Sequence, residues 1–594
     1  MKARWRGAIV LAFRRDLAYA LGRPMLILGI HSGYHDACAA LFDGYRLVAA
    51  VAQERLTRVK LDGGRLPREA IAEVLGSAGA AAADIEAIAL SRSVYPLRFY
   101  THLPLRRRLG RAINRIRGRD KMKSLERECV RYRRADSGAM FDARAFLAEA
   151  GLPPGAATHF YNHHRAHALA ALFHTDWDDA LVYTADGGGD NVQYSHRVLK
   201  DGRLATLAGD DDGLVAPLRI DSLGLAYGFA TQALGFKINQ HEGKLTGLAA
   251  LGEPSLAAAL AGHFRVDADG RIDSDFADFA AMRRFIFAWA DGHPRETVAA
   301  SVQRVLEDTI ETAVRRLLAL HGVRRLALAG GVFANVKLNQ RLAETLPLDE
   351  IFVYPAMSDQ GLAAGGVLDY LLARDGLATW LEQRYRLEHL YLGRDHGPAI
   401  DHVLTGNGCP RVATDTVRAA AELIDQGKIV ALFTRGMEYG PRALGARSIL
   451  AAPVAAEINH DLNRRLDRSE FMPFAPVVRA SDASRIFALP PVSAYAARFM
   501  TITCQVRPEW ASRIPSVVHV DGTARPQVIE REPNPLYHDI VSAYAGRSGI
   551  PVLINTSFNV HEEPIINTPA ECWTALRDRR IDFVATDAGV YGRP

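Results

Sequence analysis

The sequence predicts a two-lobed α/β protein whose first lobe contains two copies of one β-sheet pattern. Residues 25–55 and 180–208 both follow the order strand, acidic glycine turn, strand, Asp-Gly turn, strand. A polar stretch near residues 386–410 then separates a helical pattern from a new α/β pattern that continues to Pro594. The chain has 594 residues, which exceeds one ordinary hydrophobic core because domains average about 150 residues.

The composition is that of an ordinary folded protein. Hydrophobic residues make up 48% and charged residues 23%, which excludes disorder and collagen-like repeats. Lys+Arg 72 against Asp+Glu 67 leaves a net charge of +5, which argues against a dedicated nucleic-acid binder. The five cysteines form no CxxC pair, which argues against a disulfide scaffold or a zinc ribbon and favours a cytoplasmic location.

Residues 1–24 form a basic extension ahead of the first predicted strand. Charged residues interrupt the apolar run Ala8–Phe13, so it is too short for a signal peptide or for the ~20 residues of a membrane span. We therefore expect no transmembrane segment, with a peripheral membrane contact as the alternative. The basic stretch 106–134 indicates a solvated helix or flap, or a guide for an anionic substrate.

The two repeats predict paired β-hairpins. The first repeat begins with the apolar run Met25–Ile30 and turns at Asp43-Gly44. The second repeat, Ala180–Ala208, contains the triplet Gly187–Gly189 and a later Asp-Gly turn. Apolar runs separated by Asp-Gly are typical of hairpins, and the glycine turns could direct backbone N–H groups toward phosphate oxygens.

Helical patterns at Leu66–Gly79 and Arg295–His321 follow the two repeats. Two such units packed face to face leave a cleft, which is the layout of the actin/hexokinase/Hsp70 ATPase superfamily. The predicted organisation is an extension at 1–24, a first lobe at 25–385, a linker at 386–410 and a second lobe at 411–594. The second lobe is long enough to be an independent domain.

Two histidines in the segment Asn162–Ala168 indicate a metal site. His163 and His167 are four residues apart, so on a helix they share one face and could bind one ion. Asp186 and Asp359 lie in turns flanked by small residues and could complete the ligand set. Two imidazoles with carboxylates suit iron, zinc or manganese, with histidines that only form hydrogen bonds as the alternative.

Three glycine-containing segments are candidates for nucleotide binding. Each could direct amide groups toward a phosphate or a ribose, although each could also be an ordinary turn. The candidate residues are Gly187, Gly188, Glu242, Lys244, Gly247, Gly330, Gly331, Asn335 and Asn339. Asn335 and Asn339 are one helical turn apart, so their side-chain amides are expected on the same side. Three such segments occur in the order expected for a duplicated fold, and this favours the interpretation that the protein binds a nucleotide.

The second lobe carries side chains suited to a small anion with a planar, amide-like part. Guanidinium groups bind phosphate through two parallel hydrogen bonds, whereas a surface salt bridge is the alternative for any single arginine. The candidates are Arg442, Arg447, Arg468, His519, Arg525, Asn555, Ser557 and Asn559.

Nine motifs, taken in order, resemble those of the NodU/CmcH family of O-carbamoyltransferases. They are HSGYHDACAAL, NHHRAHA, YTADGGGD, EGKLTGLAALG, LAGGVFANVKLN, SDQGLAAG, GPRALGARSIL, HVDGTAR and NTSFNV, and the resemblance spans roughly Met25 to Gly592. The resemblance implies a first lobe of the ASKHA, ribonuclease-H-like type. It implies a second lobe similar to YrdC.

The resemblance also implies a reaction. The second lobe would bind carbamoyl phosphate and ATP, with Mg, and form carbamoyl-adenylate. The first lobe would hold this intermediate beside a metal, iron by resemblance, and pass the carbamoyl group to a hydroxyl. The implied metal ligands are His163, His167, Asp186 and Asp359. The implied catalytic pair is His35 and Asp36, which would deprotonate or position the hydroxyl.

The expected acceptor is a small molecule or a glycan, either a sugar or a secondary metabolite, and a homodimer is left open. Threonylcarbamoyl transfer to tRNA is the alternative that the fused lobes permit and the near-neutral charge disfavours. The hydrogenase-maturation carbamoyltransferases share both lobes, but their CxxC pairs are missing here. A non-catalytic ATP-binding module is disfavoured, because a site that had lost its activity would have no need to keep charged groups in its cleft.

Overall fold

The first lobe contains two five-stranded sheets built on one plan. The computed structural model describes residues 24–102, 121–467 and 473–594. The first sheet comprises β1 (Leu26–His31), β2 (Cys38–Asp43), β3 (Arg46–Ala52), β4 (Ile85–Ser91) and β5 (Ala157–Tyr161). The second comprises β6 (Ala180–Gly189), β7 (Val192–Lys200), β8 (Arg203–Ala208), β9 (Arg325–Ala329) and β10 (Glu350–Val353).

The two sheets have the same topology. Their strand orders are β3-β2-β1-β4-β5 and β8-β7-β6-β9-β10. In each, the first three strands are antiparallel neighbours and the last two run parallel to the first strand. This repeated topology confirms the predicted duplication and the ASKHA-type fold of the first lobe.

The glycine triplet of the second repeat is part of a strand and not the turn. β6 runs through Gly189, which pairs with Val192, so the reversal falls on Asp190 and Asn191. Both residues have positive φ, 51° and 61°, as a two-residue hairpin turn with the twist of its strands requires. The prediction that Gly187–Gly189 forms the turn is therefore wrong by two residues.

Two helices lie between the twin sheets. Helix α1 (His163–Phe173) packs on the second sheet, helix α2 (Leu362–Asp375) packs on the first, and the two contact each other. Their close approach depends on Gly365, where a Cβ atom would lie 2.1 Å from the carbonyl oxygen of Ala166. The N-terminus of α1 is thereby fixed at the junction of the two sheets.

The other main helices of the first lobe pack on the sheets or on one another, as Phe279–Ala290 does on Leu223–Ala233. Those predicted at Leu66–Gly79 and Arg295–His321 are confirmed at Arg68–Ser77 and Arg295–His321. The remaining ones are Leu125–Tyr132, Ala143–Ala150, Leu223–Ala233, Glu242–Ala249, Phe279–Ala290 and Val336–Thr345.

The second lobe is built on a mixed eight-stranded sheet. Its strands are β11 (Arg411–Ala413), β12 (Val430–Phe433), β13 (Arg447–Ala451), β14 (Ala475–Arg479), β15 (Gln527–Ile529), β16 (Val552–Ser557), β17 (Phe583–Thr586) and β18 (Gly589–Tyr591). Their order is β11-β18-β17-β12-β13-β16-β14-β15. Helices Thr416–Asp425, Glu457–Arg465, Pro535–Ser548 and Pro569–Arg577 belong to this lobe, and its core is apolar and continuous.

Residues 386–410, predicted as a linker, carry regular structure. A strand at Tyr391–Asp395 pairs with Gly436–Glu438, and a helix at Ala399–Gly406 packs on Pro569–Arg577. Two earlier predictions fall outside the described residues, namely Arg468 and most of the extension at 1–24, as does part of the basic stretch 106–134. Across the three described ranges, no helix is long and apolar enough to cross a membrane.

Candidate functional site

Two histidines and two aspartates from distant segments meet at the N-terminus of α1. One ligand atom from each of His163, His167, Asp186 and Asp359 lies within 4.8 Å of the others. Helix α1 begins at His163 because the side chain of Asn162 caps it, accepting the N–H of Arg165 at 3.0 Å. Asp186 lies near the end of β6, and Asp359 begins the short turn that leads into α2.

The spacing of these four side chains fits one metal ion. His167 Nε2 lies 3.3 Å from Asp186 Oδ2 and 3.6 Å from Asp359 Oδ1. His163 Nε2 lies 3.9 Å and 3.5 Å from the same two oxygens. Ligands held about 2.1 Å from one ion at tetrahedral angles are about 3.4 Å apart. Both Nε2 atoms are buried without a hydrogen-bond partner in the described part of the chain, which a shared ion would explain.

The four side chains strongly shift one another's pKa values. Burial alone would lower the pKa of His163, but the charges of Asp359 and Asp186 raise it to about 9. Burial alone would raise the pKa of Asp359, but His163 and His167 hold it well below its usual range. The aspartates are therefore ionised, and a cation must displace a proton from His163.

Backbone groups and a further histidine orient the two aspartates. Asp186 accepts the N–H of Gly187 at 2.6 Å and the N–H of Gly331 at 2.9 Å. The imidazole of His31 lies 3.5 Å from Asp359 Oδ2, the oxygen that faces away from the other histidines, and is buried. His31 is a site residue that was not predicted, although a histidine that ends an apolar strand before a glycine turn is an available signal.

A buried ion-pair network supports α1 from behind. The backbone N–H of His163 donates to Asp190 Oδ2 at 2.8 Å. Arg92 pairs with Asp190 at 3.1 Å and with Asp211 at 2.6 Å, and Asn162 donates to the same Asp211. No short motif links these residues in the sequence, so this network could not be predicted.

The predicted catalytic pair lies close to the cluster. His35 Nδ1 is 3.4 Å from Asp36 Oδ2, and 37% of the His35 side chain is exposed. Burial lowers the pKa of His35, but the hydrogen bond with Asp36 and the charges of Asp359 and Asp186 raise it to about 10. At neutral pH this imidazole is protonated unless a cation offsets those carboxylates, so it is a hydrogen-bond donor in the metal-free protein.

A cavity of about 630 Å³ lies between the two lobes. From the first lobe it is lined by Lys60, Lys244, Gly247, Ala334 and Lys337. From the second lobe it is lined by Arg442, His519, Arg525, Asn555, Ser557 and Asn559. The prevailing positive charge of these residues suits an anionic ligand.

The predicted nucleotide residues divide into two groups. Lys244 and Gly247 line the cavity, whereas Glu242 accepts the N–H of Asn239. The prediction that Asn335 and Asn339 present free amides is wrong. Asn335 caps a helix and exchanges hydrogen bonds with Gln303, and Asn339 donates to two backbone carbonyls.

Four of the glycines predicted to face phosphates, Gly187, Gly188, Gly330 and Gly331, lie beside the four-residue cluster and do not line the cavity. Gly187 and Gly331 both donate their N–H groups to Asp186. Gly330 donates to the carbonyl of Met357, and Gly188 lies within β6. These segments therefore hold the cluster together, a role that their glycine pattern did not indicate.

Of the residues predicted to bind the anion, Arg442 and Arg525 fit best. Burial lowers the pKa of Arg442 to about 10, and burial with the Arg442 charge lowers the pKa of Arg525 well below its usual range. Neither forms an ion pair among the described residues, so an anion between them would relieve their repulsion. Arg447 is different, because it does not line the cavity, is buried over Phe433 and donates through Nη1 to backbone carbonyls. Its Nε and Nη2 atoms have no partner among the described residues, so its binding role stays a prediction.

One short segment connects the cluster to the cavity. The turn Gly331–Ala334 begins with the N–H that donates to Asp186. It ends at Ala334, which lines the cavity and whose carbonyl accepts from Arg442 at 3.4 Å. The two sites are therefore separated by a single turn of chain.

Twin sheets of one topology, joined to a second α/β lobe, define an ASKHA-type two-lobed protein. The profile of the carbamoyltransferase N-terminus matches residues 26–95 and 154–368, and that of the carbamoyltransferase C-terminus matches residues 421–593. The chain belongs to the carbamoyltransferase family and is a carbamoyltransferase, as the resemblance to NodU/CmcH enzymes predicted.

The sequence relatives extend along most of the chain. Nodulation protein NolNO of Sinorhizobium fredii is 32% identical over 92% of this chain and 77% of its own length. Nodulation protein NolO of Bradyrhizobium diazoefficiens is 33% identical over 71% of this chain and 77% of its own length. Among solved structures, HypF of T. kodakarensis is 13% identical, covers 60% of this chain and 48% of its own, and has a TM-score of 0.32.

Proposed function

We propose that this carbamoyltransferase uses ATP to activate carbamoyl phosphate as carbamoyl-adenylate and passes the carbamoyl group to a hydroxyl of a sugar or secondary metabolite. The observation that carries the proposal is the pairing of a four-ligand cluster with a cation-lined cavity formed by both lobes. The cavity suits the anionic donor, and the cluster suits the transfer step.

In the first step, the second lobe would hold the carbamoyl donor and ATP. Arg442 and Arg525 would bind the phosphate, and Asn555 Oδ1, which lacks a partner among the described residues, would accept the carbamoyl N–H. Carbamoyl phosphate would react with water to give carbamate and phosphate. A carbamate oxygen would then attack the α-phosphorus of ATP, held with Mg²⁺, and pyrophosphate would leave.

In the second step, the acceptor oxygen attacks the carbamoyl carbon and AMP leaves, while the hydroxyl proton passes to a base. A divalent cation bound by His163, His167, Asp186 and Asp359 would polarise the carbonyl and stabilise the oxyanion. Iron is the metal proposed, with zinc or manganese as alternatives. His35 would position the hydroxyl, and it would serve as the base once its pKa falls toward neutrality.

The acceptor would be a small molecule or a glycan that offers a hydroxyl group. The relatives named as nodulation proteins are compatible with a glycan acceptor, and a secondary metabolite is retained alongside it. The cytoplasmic location, the domain boundaries and the homodimer stay predictions.

The test is pyrophosphate release by the purified protein with Mg²⁺, ATP and carbamoyl phosphate. We expect release that depends on carbamoyl phosphate. With a matching hydroxylated acceptor, we expect a product heavier by +43 Da, one carbamoyl group replacing hydrogen. ATP that is cleaved only to ADP, or pyrophosphate release indifferent to carbamoyl phosphate, would contradict the adenylate route. The variant Arg418→Lys, at an exposed position on the helix Thr416–Asp425 and outside the cavity, serves as the control.

A further inference from the structure

We propose that His241, His561 and Glu562 form a second divalent-metal site, which joins the two lobes at the edge of the interlobe cavity. The proposal is independent of the adenylate route and of the four-ligand cluster. The three side chains come from both lobes, and one ligand atom from each lies within 4.8 Å of the others.

The geometry of this second cluster resembles that of the first. Glu562 Oε1 lies 3.4 Å from His241 Nε2 and 3.9 Å from His561 Nε2. The corresponding imidazole-to-carboxylate distances in the four-ligand cluster are 3.3 Å to 3.9 Å. The two imidazole rings are nearly parallel, with an interplanar angle of 23° and centroids 6.4 Å apart, so one ion could bind both.

The carboxylate of Glu562 is oriented as a metal ligand usually is. Its Oε2 oxygen pairs with Lys237 Nζ at 2.6 Å, which leaves Oε1 directed toward the two histidines. A ligating carboxylate is commonly held in this way by a hydrogen bond to its other oxygen. His241 and His561 are 12% and 22% exposed, so an ion could reach them from solvent.

The chemistry of the donors selects the class of ion. Two imidazoles and one carboxylate favour zinc or a similar transition metal over magnesium, which prefers oxygen ligands. Lys244 Nζ lies 3.4 Å from His561 Nε2 and competes with an ion for that nitrogen. We therefore expect weaker binding than at the four-ligand cluster.

The position of the site gives it a structural consequence. His241 immediately precedes the helix Glu242–Ala249 of the first lobe, and His561 and Glu562 follow β16 of the second lobe. All three residues line the cavity. A bound ion would tie the lobes together beside the predicted nucleotide residue Lys244, and its remaining coordination positions would be open to water or a phosphate oxygen.

The experiment counts zinc bound per chain. Protein stripped with a chelator is titrated with Zn²⁺ at pH 7.5, with calorimetry and elemental analysis as readouts. We expect two equivalents in the wild type, one in His561→Ala, one in His163→Ala and none in the double variant. Glu562→Gln, which keeps the side-chain shape, should weaken the second equivalent at least tenfold, and this variant decides the matter if His561→Ala does not fold.

His263→Ala is the matched control, because His263 pairs with a single carboxylate, Asp275, at 2.7 Å outside both clusters. This variant should retain both equivalents. A wild-type protein whose single equivalent is lost in His163→Ala, or a His561→Ala variant that binds as much as the wild type, overturns the second site. Loss of zinc in His163→Ala alone concerns the four-ligand cluster, so failures of the two sites are distinguishable.

Discussion

At the residue scale, His163 offers a ring nitrogen to the cluster while its backbone N–H is already held by Asp190. His163→Ala therefore removes one ligand and keeps the hydrogen bond that fixes the start of α1. We expect metal affinity to fall at least tenfold and carbamoyl transfer to fall with it. Pyrophosphate release, assigned to the second lobe, should continue. Elemental analysis and the two activity assays measure these effects.

His159→Ala is the control for this prediction. His159 also pairs with an aspartate, Asp369, at 3.0 Å, but lies outside the cluster. Its loss should leave the metal content unchanged. If His163→Ala keeps its full metal content while His159→Ala loses it, the ligand assignment is wrong.

Arg525 supports a prediction about the donor. Its guanidinium lies in the cavity beside Arg442 and has no carboxylate partner in the described ranges. Arg525→Lys keeps the charge but loses the two-pronged hydrogen bond, so we expect the KM for carbamoyl phosphate to rise about 10- to 100-fold. Steady-state pyrophosphate release measures this, and an unchanged KM with unchanged metal content would remove Arg525 from the anion site.

The sequence could predict residues whose role is visible in spacing, and failed where the role depends on packing. His163 and His167 were identifiable because i and i+4 residues share a helix face. Arg447 and Asn339 have the same side-chain types as residues that line the cavity, yet each is buried away from it and donates to backbone carbonyls. Nothing in the local sequence distinguishes an arginine that faces a cavity from one that lies over Phe433.

At the element scale, the contact between α1 and α2 is sensitive to one methyl group. A Cβ at Gly365 would lie 2.1 Å from a backbone oxygen of α1, so Gly365→Ala must push the helices apart. We expect a loss of about 1–3 kcal/mol in the free energy of unfolding. Metal affinity should also fall, because α1 carries two of the ligands. Urea unfolding and zinc titration measure both effects.

Gly546→Ala is the matched control for this prediction. Gly546 lies in the helix Pro535–Ser548, and a Cβ there would meet nothing within 4 Å. Alanine in an exposed helix favours folding by up to about 1 kcal/mol. If Gly365→Ala behaved like Gly546→Ala, the close packing of α1 and α2 would be refuted.

Most helices and strands were predictable because the hydrophobic periodicity and the residues that begin and end the element agree. Arg295–His321, which follows Pro294 and ends before Gly322, is an example. The turn between β6 and β7 was misplaced because glycine usually marks a reversal. Here Gly189 is needed for another reason, since a Cβ would lie 2.3 Å from the ring of His163. That requirement arises from a contact between residues 26 positions apart in the chain and leaves no local signal.

At the scale of the whole molecule, buried neutral histidines make the fold sensitive to acid. Burial lowers the pKa of His174 to about 3 and that of His196 to about 4. Both values lie below the pKa of about 6.5 that histidine has in an unfolded chain. At a pH between the folded and the unfolded pKa, the unfolded chain therefore binds more protons than the folded protein. Each group then contributes stability that is complete above about pH 6.5 and declines as the pH falls, by about 1.4 kcal/mol per unit.

His174→Phe tests this dependence, because His174 is buried and stacks on Tyr354. We expect the slope of the unfolding free energy against pH, between pH 6.5 and pH 5, to become shallower. The change should correspond to at most one proton per chain, or about 1.4 kcal/mol per pH unit. Urea unfolding at several pH values measures the slope. The exposed His402 gives the control His402→Ala, which should leave it unchanged. An equal slope in His174→Phe and the wild type would refute the assignment.

The turn Gly331–Ala334 touches Asp186 at one end and Arg442 at the other, and this has a thermodynamic consequence. The binding of the cation and the binding of the anion form a closed thermodynamic cycle. If the bound cation raises the affinity for the anion by some factor, the bound anion must raise the affinity for the cation by the same factor. Under the proposed function, any preference of carbamoyl phosphate for the metallated chain would keep the protein metallated at cation concentrations at which the unliganded chain is stripped.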